Sequence, residues 1–181
     1  MGDDVQLAED LNQENDIREL IGLRPILIDA RKIGDGGIGV YTQNLITDLI
    51  ARDIPLAVLG DPAQFEAFRW YSRVRIIEER ARAYSRDELF GLSRRVRFGD
   101  FSLFHVPHYI LPFNVPIPTI VTIHDLIHVT HPEHFYYPPV AWGLIASALF
   151  RADGVLTVSA AAERDIRRYF PAALRRFRQF A

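Results

Sequence analysis

The stretch PILIDARKIGDGGIGVYTQNLITDLIAR, residues 25–52, decides the fold. It opens with a short apolar run, residues 25–30, that is long enough for a strand buried on both faces. A turn rich in glycine follows at residues 34–39, called the Gly turn below. A helical pattern then runs from about Ile38 to Arg52, and its inner side carries Leu45, Ile46, Leu49 and Ile50. This stretch predicts a strand, a tight turn and a helix.

The same alternation continues to the end of the chain. Further apolar runs predict strands at residues 55–60, 73–77, 102–106, 119–123 and 154–158. Helices are predicted to start at Asp61-Pro62 and to cover residues 85–98, 138–151 and 159–170, with Ser85 and Glu88 spaced as in a capping box. Alternating strands and helices predict an α/β fold, a Rossmann-like parallel sheet with helices on both faces. We expect one domain over residues 24–181, preceded by an N-terminal extension, residues 1–23, that is helical or disordered.

The composition is that of a globular protein and excludes several classes of function. The hydrophobic share is 49% and the formal net charge is −2, which gives no general reason to expect a nucleic-acid partner. There is no cysteine, so disulfides, thiolate metal sites and a cysteine nucleophile are excluded. The N terminus is acidic and lacks the apolar core of a signal peptide, and no apolar stretch approaches the ~20 residues that span a bilayer. We therefore expect a cytoplasmic protein.

Arginine is concentrated in two segments, residues 69–97 and residues 164–178. The favoured interpretation is solvated helix faces in a protein that uses arginine in place of lysine. The alternative is a surface that meets anionic lipid or phosphate, because the guanidinium fork suits phosphate oxygens. A peripheral contact with the inner membrane face is therefore a further hypothesis.

The Gly turn lies between a strand and a helix, which is the context of many anion sites. Glycines let backbone N–H groups approach a phosphate, and a helix presents its positive end there. Gly34, Gly36 and Gly39 fit G-x-G-x-x-G loosely, and Asp61 has about the spacing of the acid in a dinucleotide fold. The competing interpretation is a plain connection. A nucleotide-dependent oxidoreductase or epimerase is disfavoured because there is no Tyr-x3-Lys pair and the only lysine is Lys32.

All six histidines lie within thirty residues, at positions 105, 108, 124, 128, 131 and 134. Three interpretations compete: a metal site, a ligand-binding rim beyond two adjacent strands, and structural histidines in loops. A metal site is the weakest, because His124 and His128 share a face only on a helix and the segment reads as a strand followed by Pro132. We expect no metal, a ligand-site role for His124-Asp125, and mainly structural roles for the others.

Three segments in order resemble family-4-type, retaining GT-B glycosyltransferases. Residues 28–45 (IDAR…GIGVY…NL) resemble the opening of those enzymes. Residues 119–126 (TIVTIHDL) resemble their central strand with its His-Asp. Residues 152–166 (ADGVLTVS…ERDI) resemble a later strand and helix of the same domain. Together the three matches cover nearly the whole predicted domain, which would be the N-terminal half of a GT-B fold.

The resemblance implies an active site in a cleft between two Rossmann-like domains. It implies that the N-terminal domain holds a sugar or lipid-linked acceptor and that a C-terminal domain holds most of the nucleotide-sugar donor, a substrate and not a cofactor. By this likeness His124 contacts the transferred sugar, and Asp125 is either catalytic or stabilises the loop. The candidates for donor or acceptor binding are Gly36, Gly37, Gly39, Tyr41, Asn44 and His108.

The sequence departs from the resembled enzymes at its C-terminal end. Their donor-binding domain carries a Glu-x7-Glu motif and a basic pair for the diphosphate, and neither lies in these 181 residues. We expect a fragment or a split enzyme that transfers sugar only when a C-terminal domain is supplied, for example in trans. The alternative is a non-catalytic binding or partner module.

Overall fold

A computed structural model of the chain describes residues 24–80, 85–130 and 137–172. The expected N-terminal extension, His131 and His134 lie outside the described residues. Six strands are described: β1 (Ile26–Asp29), β2 (Leu56–Gly60), β3 (Arg75–Glu78), β4 (Leu103–Val106), β5 (Thr119–Ile123) and β6 (Gly154–Thr157). The helices are α1 (Gly36–Ala51), α2 (Pro62–Phe65), α3 (Arg86–Arg95), α4 (Ile127–Thr130), α5 (Tyr137–Arg151) and α6 (Ala160–Tyr169). Two short 3-10 turns cover Tyr71–Arg73 and Phe98–Asp100.

The strands form one parallel sheet in the order β3-β2-β1-β4-β5-β6. This is the strand order of a Rossmann-type sheet, so the predicted fold class is confirmed. The first strand, β1, lies in the middle of the sheet. Strands β2 and β3 extend the sheet on one side of β1, and strands β4, β5 and β6 extend it on the other side. The order therefore reverses between β1 and β4, where Ile26 pairs with Leu103 and Ile28 with His105.

Helices cover both faces of the sheet because the central strands are apolar on both. Ile26 and Ile28 of β1 pack on one side with Ile46 and Ile50 of α1. Leu27 faces the opposite way and belongs to the cluster that holds Leu92 of α3 and Ala148 of α5. The alternation follows from the two-residue period of a strand. The edge strands β3 and β6 are only partly buried, since each has a neighbour on one side alone.

Most element boundaries agree with the sequence prediction to within three residues. Ser85 and Ser159 accept hydrogen bonds from Glu88 N at 3.0 Å and Ala162 N at 3.1 Å, and so act as the predicted helix caps. Helix α4 was not predicted, because four residues are too few for a helical pattern. No described helix is both long and apolar enough to cross a membrane.

Among the glycines at the start of α1, Gly39 is the one that the packing most requires. Gly36 has a positive φ of 45°, in the region that favours glycine, and it faces open space. Gly37 also has open space where a Cβ would point. Gly39 is buried, and a Cβ there would collide with the backbone carbonyl of Ile33. The close packing of α1 on the residues after β1 therefore depends on Gly39.

Gly39→Ala should lower the unfolding free energy by about 1–3 kcal/mol, because the backbone at Ile33 has to move to admit a methyl group. Gly37→Ala is the matched control. It should leave stability unchanged or raise it by up to about 1 kcal/mol, since alanine favours a helix more than glycine does. Urea unfolding of both variants measures the difference. Equal stability of the two variants would show that the contact at Gly39 is unimportant.

Candidate functional site

The carboxyl ends of β1, β4 and β5 meet at one edge of the sheet, beside the reversal of strand order. Ligands of open α/β sheets bind beyond this edge, at the reversal. The Gly turn follows β1, Pro107 and His108 follow β4, and His124-Asp125 follow β5. The fold thus collects the segments that carry the predicted site residues.

Tyr41 joins the Gly turn to Thr122 and His124, at the end of β5. It lies on the first turns of α1, and its ring meets the ring of His124 edge-on at a centroid distance of 5.0 Å. Its hydroxyl lies 3.3 Å from Thr122 Oγ1 on β5, within hydrogen-bond distance. Two segments that lie 81 residues apart in the sequence are therefore in direct contact.

The ring of His124 is half-buried and has a defined hydrogen bond. Its Nε2 lies 3.1 Å from the carbonyl oxygen of Pro107. A carbonyl oxygen only accepts, so Nε2 carries the hydrogen in this contact. Nδ1 has no hydrogen-bond partner among the described residues, and in the neutral ring it is an acceptor.

The other predicted site residues differ in their surroundings. Asp125 is exposed, and its Oδ1 accepts a hydrogen bond from Ile127 N at 3.0 Å at the start of α4. Gly36, Gly37 and Asn44 are exposed on α1. The structure thus places Asp125 in a local turn, and Asn44 outside the contact between Tyr41 and His124. The predicted roles of these residues in binding or catalysis stay predictions.

A buried ion pair lies directly behind this edge. Asp29, the last residue of β1, is 0% exposed, and Arg31 holds both of its carboxylate oxygens at 2.8 and 2.5 Å. Burial alone would raise the pKa of Asp29, but the Arg31 guanidinium outweighs it and holds that pKa well below the usual range. Arg31 remains a cation because its attraction to Asp29 outweighs the effect of burial, which would lower the pKa of the guanidinium group. The pair is thus charged on both sides at neutral pH.

Acidic residues from two further segments surround Arg31. Glu88 of α3 is buried, and its Oε1 lies 3.3 Å from Arg31 Nη1. Glu79, which follows β3, is also buried and accepts a hydrogen bond from Arg95 Nε at 2.8 Å. The network ties β1, α3 and the end of β3 together.

His105 and His108 are both buried behind the edge, where burial lowers their pKa values. The pKa of His105 falls to about 4, so its ring is neutral at pH 7. Its Nε2 lies 2.8 Å from Thr122 Oγ1, the same hydroxyl that meets Tyr41. The Nδ1 of His108 accepts from Ile110 N at 3.1 Å, and its Nε2 lies 3.5 Å from Asp29 Oδ2. Neither ring has an appreciable solvent-exposed surface.

No cluster of three or more metal-ligand side chains occurs within residues 24–80, 85–130 and 137–172. His128 lies on α4, whereas His124 precedes that helix, so the two do not share a helix face. Asp61, the candidate ribose-binding acid, caps α2 by accepting from Ala63 N at 3.2 Å.

The sequence profile of Glycosyltransferase Family 4 matches residues 35–178. The chain belongs to this family. The match starts in the Gly turn and includes every strand from β2 to β6. This confirms the resemblance at the level of the family. No match was found among curated protein sequences.

Among solved structures, the TrkA-N domain of the inner membrane protein ybaL from Escherichia coli is similar to this chain. It is 17% identical, and the comparison covers 84% of this chain and 97% of that domain at a TM-score of 0.42. A likeness at this level carries no conclusion about function.

Sequence reasoning missed the buried network of this family-4 domain. The local pattern assigns Glu88 to a capping box and gives no partner for Arg31. A signal was present, because an Asp at the end of a wholly apolar strand needs a charged partner. Arg31, two residues further along, was the nearest candidate.

Asp29→Asn should lower the unfolding free energy at pH 7 by roughly 3–5 kcal/mol, because Arg31 is left buried without its carboxylate. Asp48→Asn, at an exposed position on α1, is the control and should cost less than about 0.5 kcal/mol. The folded pKa of Asp29 lies below its unfolded value, so its contribution is complete at neutral pH. It is lost as the pH falls below about 4. Chemical unfolding at several pH values measures both effects, and a neutral Asp29→Asn variant would contradict them.

His105 should make the domain less stable between pH 6.5 and 4. In this window the unfolded chain binds a proton at His105 and the folded chain does not, since the folded pKa falls from 6.5 to about 4. The loss amounts to roughly 3 kcal/mol at most. His105→Gln keeps an amide near Thr122 but does not titrate, so its unfolding free energy should fall less over the same window. An equal fall of the unfolding free energy with pH in the two proteins would show that His105 does not cause the loss of stability.

Proposed function

We propose that this domain is the acceptor-side half of a retaining GT-B glycosyltransferase. In this proposal it transfers a sugar from a nucleotide-sugar donor to a sugar or lipid-linked acceptor when a C-terminal donor-binding domain completes the cleft. Membership of Glycosyltransferase Family 4 supports sugar transfer. The donor, the two-domain arrangement, the retaining outcome and a cytoplasmic location, with or without peripheral membrane contact, belong to the proposal through the resemblance of the motifs.

The observation that carries the proposal is the contact between Tyr41 and His124 at the reversal of strand order. It brings the start of α1, with the Gly turn, next to the half-buried ring of His124, which directly follows β5. Backbone N–H groups at a helix start favour an anion such as a diphosphate, and the adjacent imidazole suits a sugar. A nucleotide sugar carries both groups in one molecule.

His124 has a chemical role in this proposed arrangement. With Nε2 donating to Pro107, the free Nδ1 accepts a hydrogen bond from a sugar hydroxyl. A neutral ring beside the reacting carbon also tolerates the positive charge that develops on the sugar as the diphosphate leaves. The charge of the leaving diphosphate needs further donors, which the C-terminal domain would supply. Asp125 would hold the loop that follows His124 through its bond to Ile127 N.

The decisive experiment assays the chain with and without a family-4 C-terminal domain, supplied in trans or joined after residue 181. A panel of labelled nucleotide sugars with sugar and lipid-linked acceptors identifies transfer, and the anomeric configuration of the product tests retention. Transfer is expected only with the second domain present. Absence of transfer under every condition, together with saturable NAD binding, would favour the oxidoreductase alternative. Absence of both would favour a non-catalytic partner module.

His124→Ala, measured in the completed enzyme, should lower kcat by about 100-fold or more, because the ring contacts the sugar in the transition state. The thermal stability should change much less than the turnover, since the ring is only half-buried. His128→Ala is the matched control and removes a neighbouring imidazole that lies on α4. It should keep turnover within a few fold of the unmodified protein. An unchanged kcat in His124→Ala would remove His124 from the mechanism.

A further inference from the structure

We propose that His108 is a positioning residue that sets the hydrogen-bond partner of His124 through the Pro107 carbonyl. This inference rests on the proposed function only where it concerns sugar transfer. Its structural part concerns the orientation of an imidazole ring, and that can be measured on the chain by itself. His108 was expected either to bind ligand or to be structural, and the contacts of the folded chain indicate a third role.

The orientation of His124 depends on one carbonyl group. The hydrogen bond from Nε2 to Pro107 O is the only side-chain hydrogen bond of His124 among the described residues. Tyr41 contacts the ring edge-on but offers no polar atom to either nitrogen. If Pro107 O moved, the ring would lose the partner that distinguishes Nε2 from Nδ1. The placement of Pro107 O therefore decides which nitrogen faces a ligand as an acceptor.

Pro107 lies in a buried segment that no strand pairing fixes. Residues 107–110 follow β4 and have no regular secondary structure, and Pro107, His108 and Ile110 are buried. The side chain of His108 closes this segment on itself, because its Nδ1 accepts from the backbone N–H of Ile110 at 3.1 Å. An acceptor that reaches the N–H two residues ahead produces the same closure as an Asx turn. The ring of His108 thus accepts the same local backbone hydrogen bond that an asparagine side chain accepts in an Asx turn.

The far side of the His108 ring faces the buried ion pair. Because Nδ1 accepts a hydrogen bond, the neutral ring carries its hydrogen on Nε2. That atom lies 3.5 Å from Asp29 Oδ2, whose charge Arg31 maintains, and has no hydrogen-bond partner in the described part of the chain. A positive N–H edge beside a carboxylate is attracted to it even without a hydrogen bond. His108 is thereby held between the end of β1 and the segment whose carbonyl His124 uses.

Other charged groups near His108 do not replace this role. Lys32 and Arg31 also act on its ring electrostatically, but both belong to the segment after β1. His105 lies on β4 itself and takes Thr122 as its partner. Of these groups, only His108 bonds to a backbone atom between residues 107 and 110. The connection to Pro107 therefore runs through His108.

The test compares two amides that differ by one methylene group. His108→Asn keeps an acceptor at the distance of Nδ1, so the bond to Ile110 N and the position of Pro107 O should survive. In His108→Gln the amide lies one bond further out, towards Asp29, and the closure at Ile110 should be lost. Both variants stay polar beside Asp29, which limits the loss of folding. If His108→Gln does not fold, His108→Ala, which has no side-chain acceptor, takes its place.

Long-range 1H–15N NMR spectra of the uniformly 15N-labelled chain report which nitrogen of each histidine carries the hydrogen. The His124 signals are assigned by their disappearance in His124→Gln. In the unmodified chain and in His108→Asn the carbonyl hydrogen bond should raise the ratio of the Nε2–H form to the Nδ1–H form of His124 about fivefold above the ratio of a solvent-exposed histidine. In His108→Gln this excess should disappear, and the two nitrogen signals of His124 should shift towards those of a solvent-exposed neutral histidine. Identical His124 signals in all three proteins would overturn the proposal.

Turnover of the completed enzyme separates this inference from the proposed function. His108→Gln should lower kcat about tenfold or more with KM for the donor nearly unchanged, and His108→Asn should restore most of it. If the NMR result holds and no nucleotide sugar is used by any form, the positioning role stands and the proposed function fails. If transfer occurs but His108→Gln and His108→Asn behave alike in both measurements, the positioning role is overturned and the proposed function stands.

Discussion

The buried pair of Asp29 and Arg31 is the constraint on which this domain depends. A carboxylate with no exposed surface ends the central strand, and only a charged partner makes its ionised form tolerable there. Arg31 provides that partner two residues later, so the same contact directs the chain as it leaves β1 towards the Gly turn. Breaking the pair would disturb stability and the path of the site loop together.

Two polar networks lie on opposite faces of the sheet, and both reach the edge formed by the carboxyl ends of β1, β4 and β5. On the α3 side, Arg31 reaches Glu88, so the ion pair connects the sheet to a helix. On the α1 side, Tyr41 and His105 share the hydroxyl of Thr122. The pleat of the strands explains the separation, because neighbouring residues of one strand face opposite ways. At the edge, His124 is contacted by Tyr41 from the α1 side and by Pro107 from the segment after β4.

Much of the fold and part of the candidate site could be predicted from local sequence. Apolar runs and helical spacing predicted most of the strands and helices to within three residues, and parallel-sheet logic placed the Gly turn and His124 at one edge. The contact between Arg31 and Glu88 could not be predicted in the same way. Glu88 lies 57 residues after Arg31, and its position three residues after Ser85 has a sufficient local explanation as part of a cap. Long-range ion pairs have no spacing rule, because loop length does not fix which side chains meet.

The sequence alone determined the order of strands and helices, the need for glycine near residues 34–39 and the membership of a glycosyltransferase family, because each depends on local residue patterns. The tertiary structure decided which polar groups are buried and which hydrogen-bond partners His105, His108 and His124 have. Six histidines within thirty residues look equivalent as a pattern. They become different when His105 and His108 are enclosed within the fold and His124 remains half-buried at the sheet edge. Burial and the direction of a hydrogen bond depend on three-dimensional neighbours, which a linear pattern does not contain.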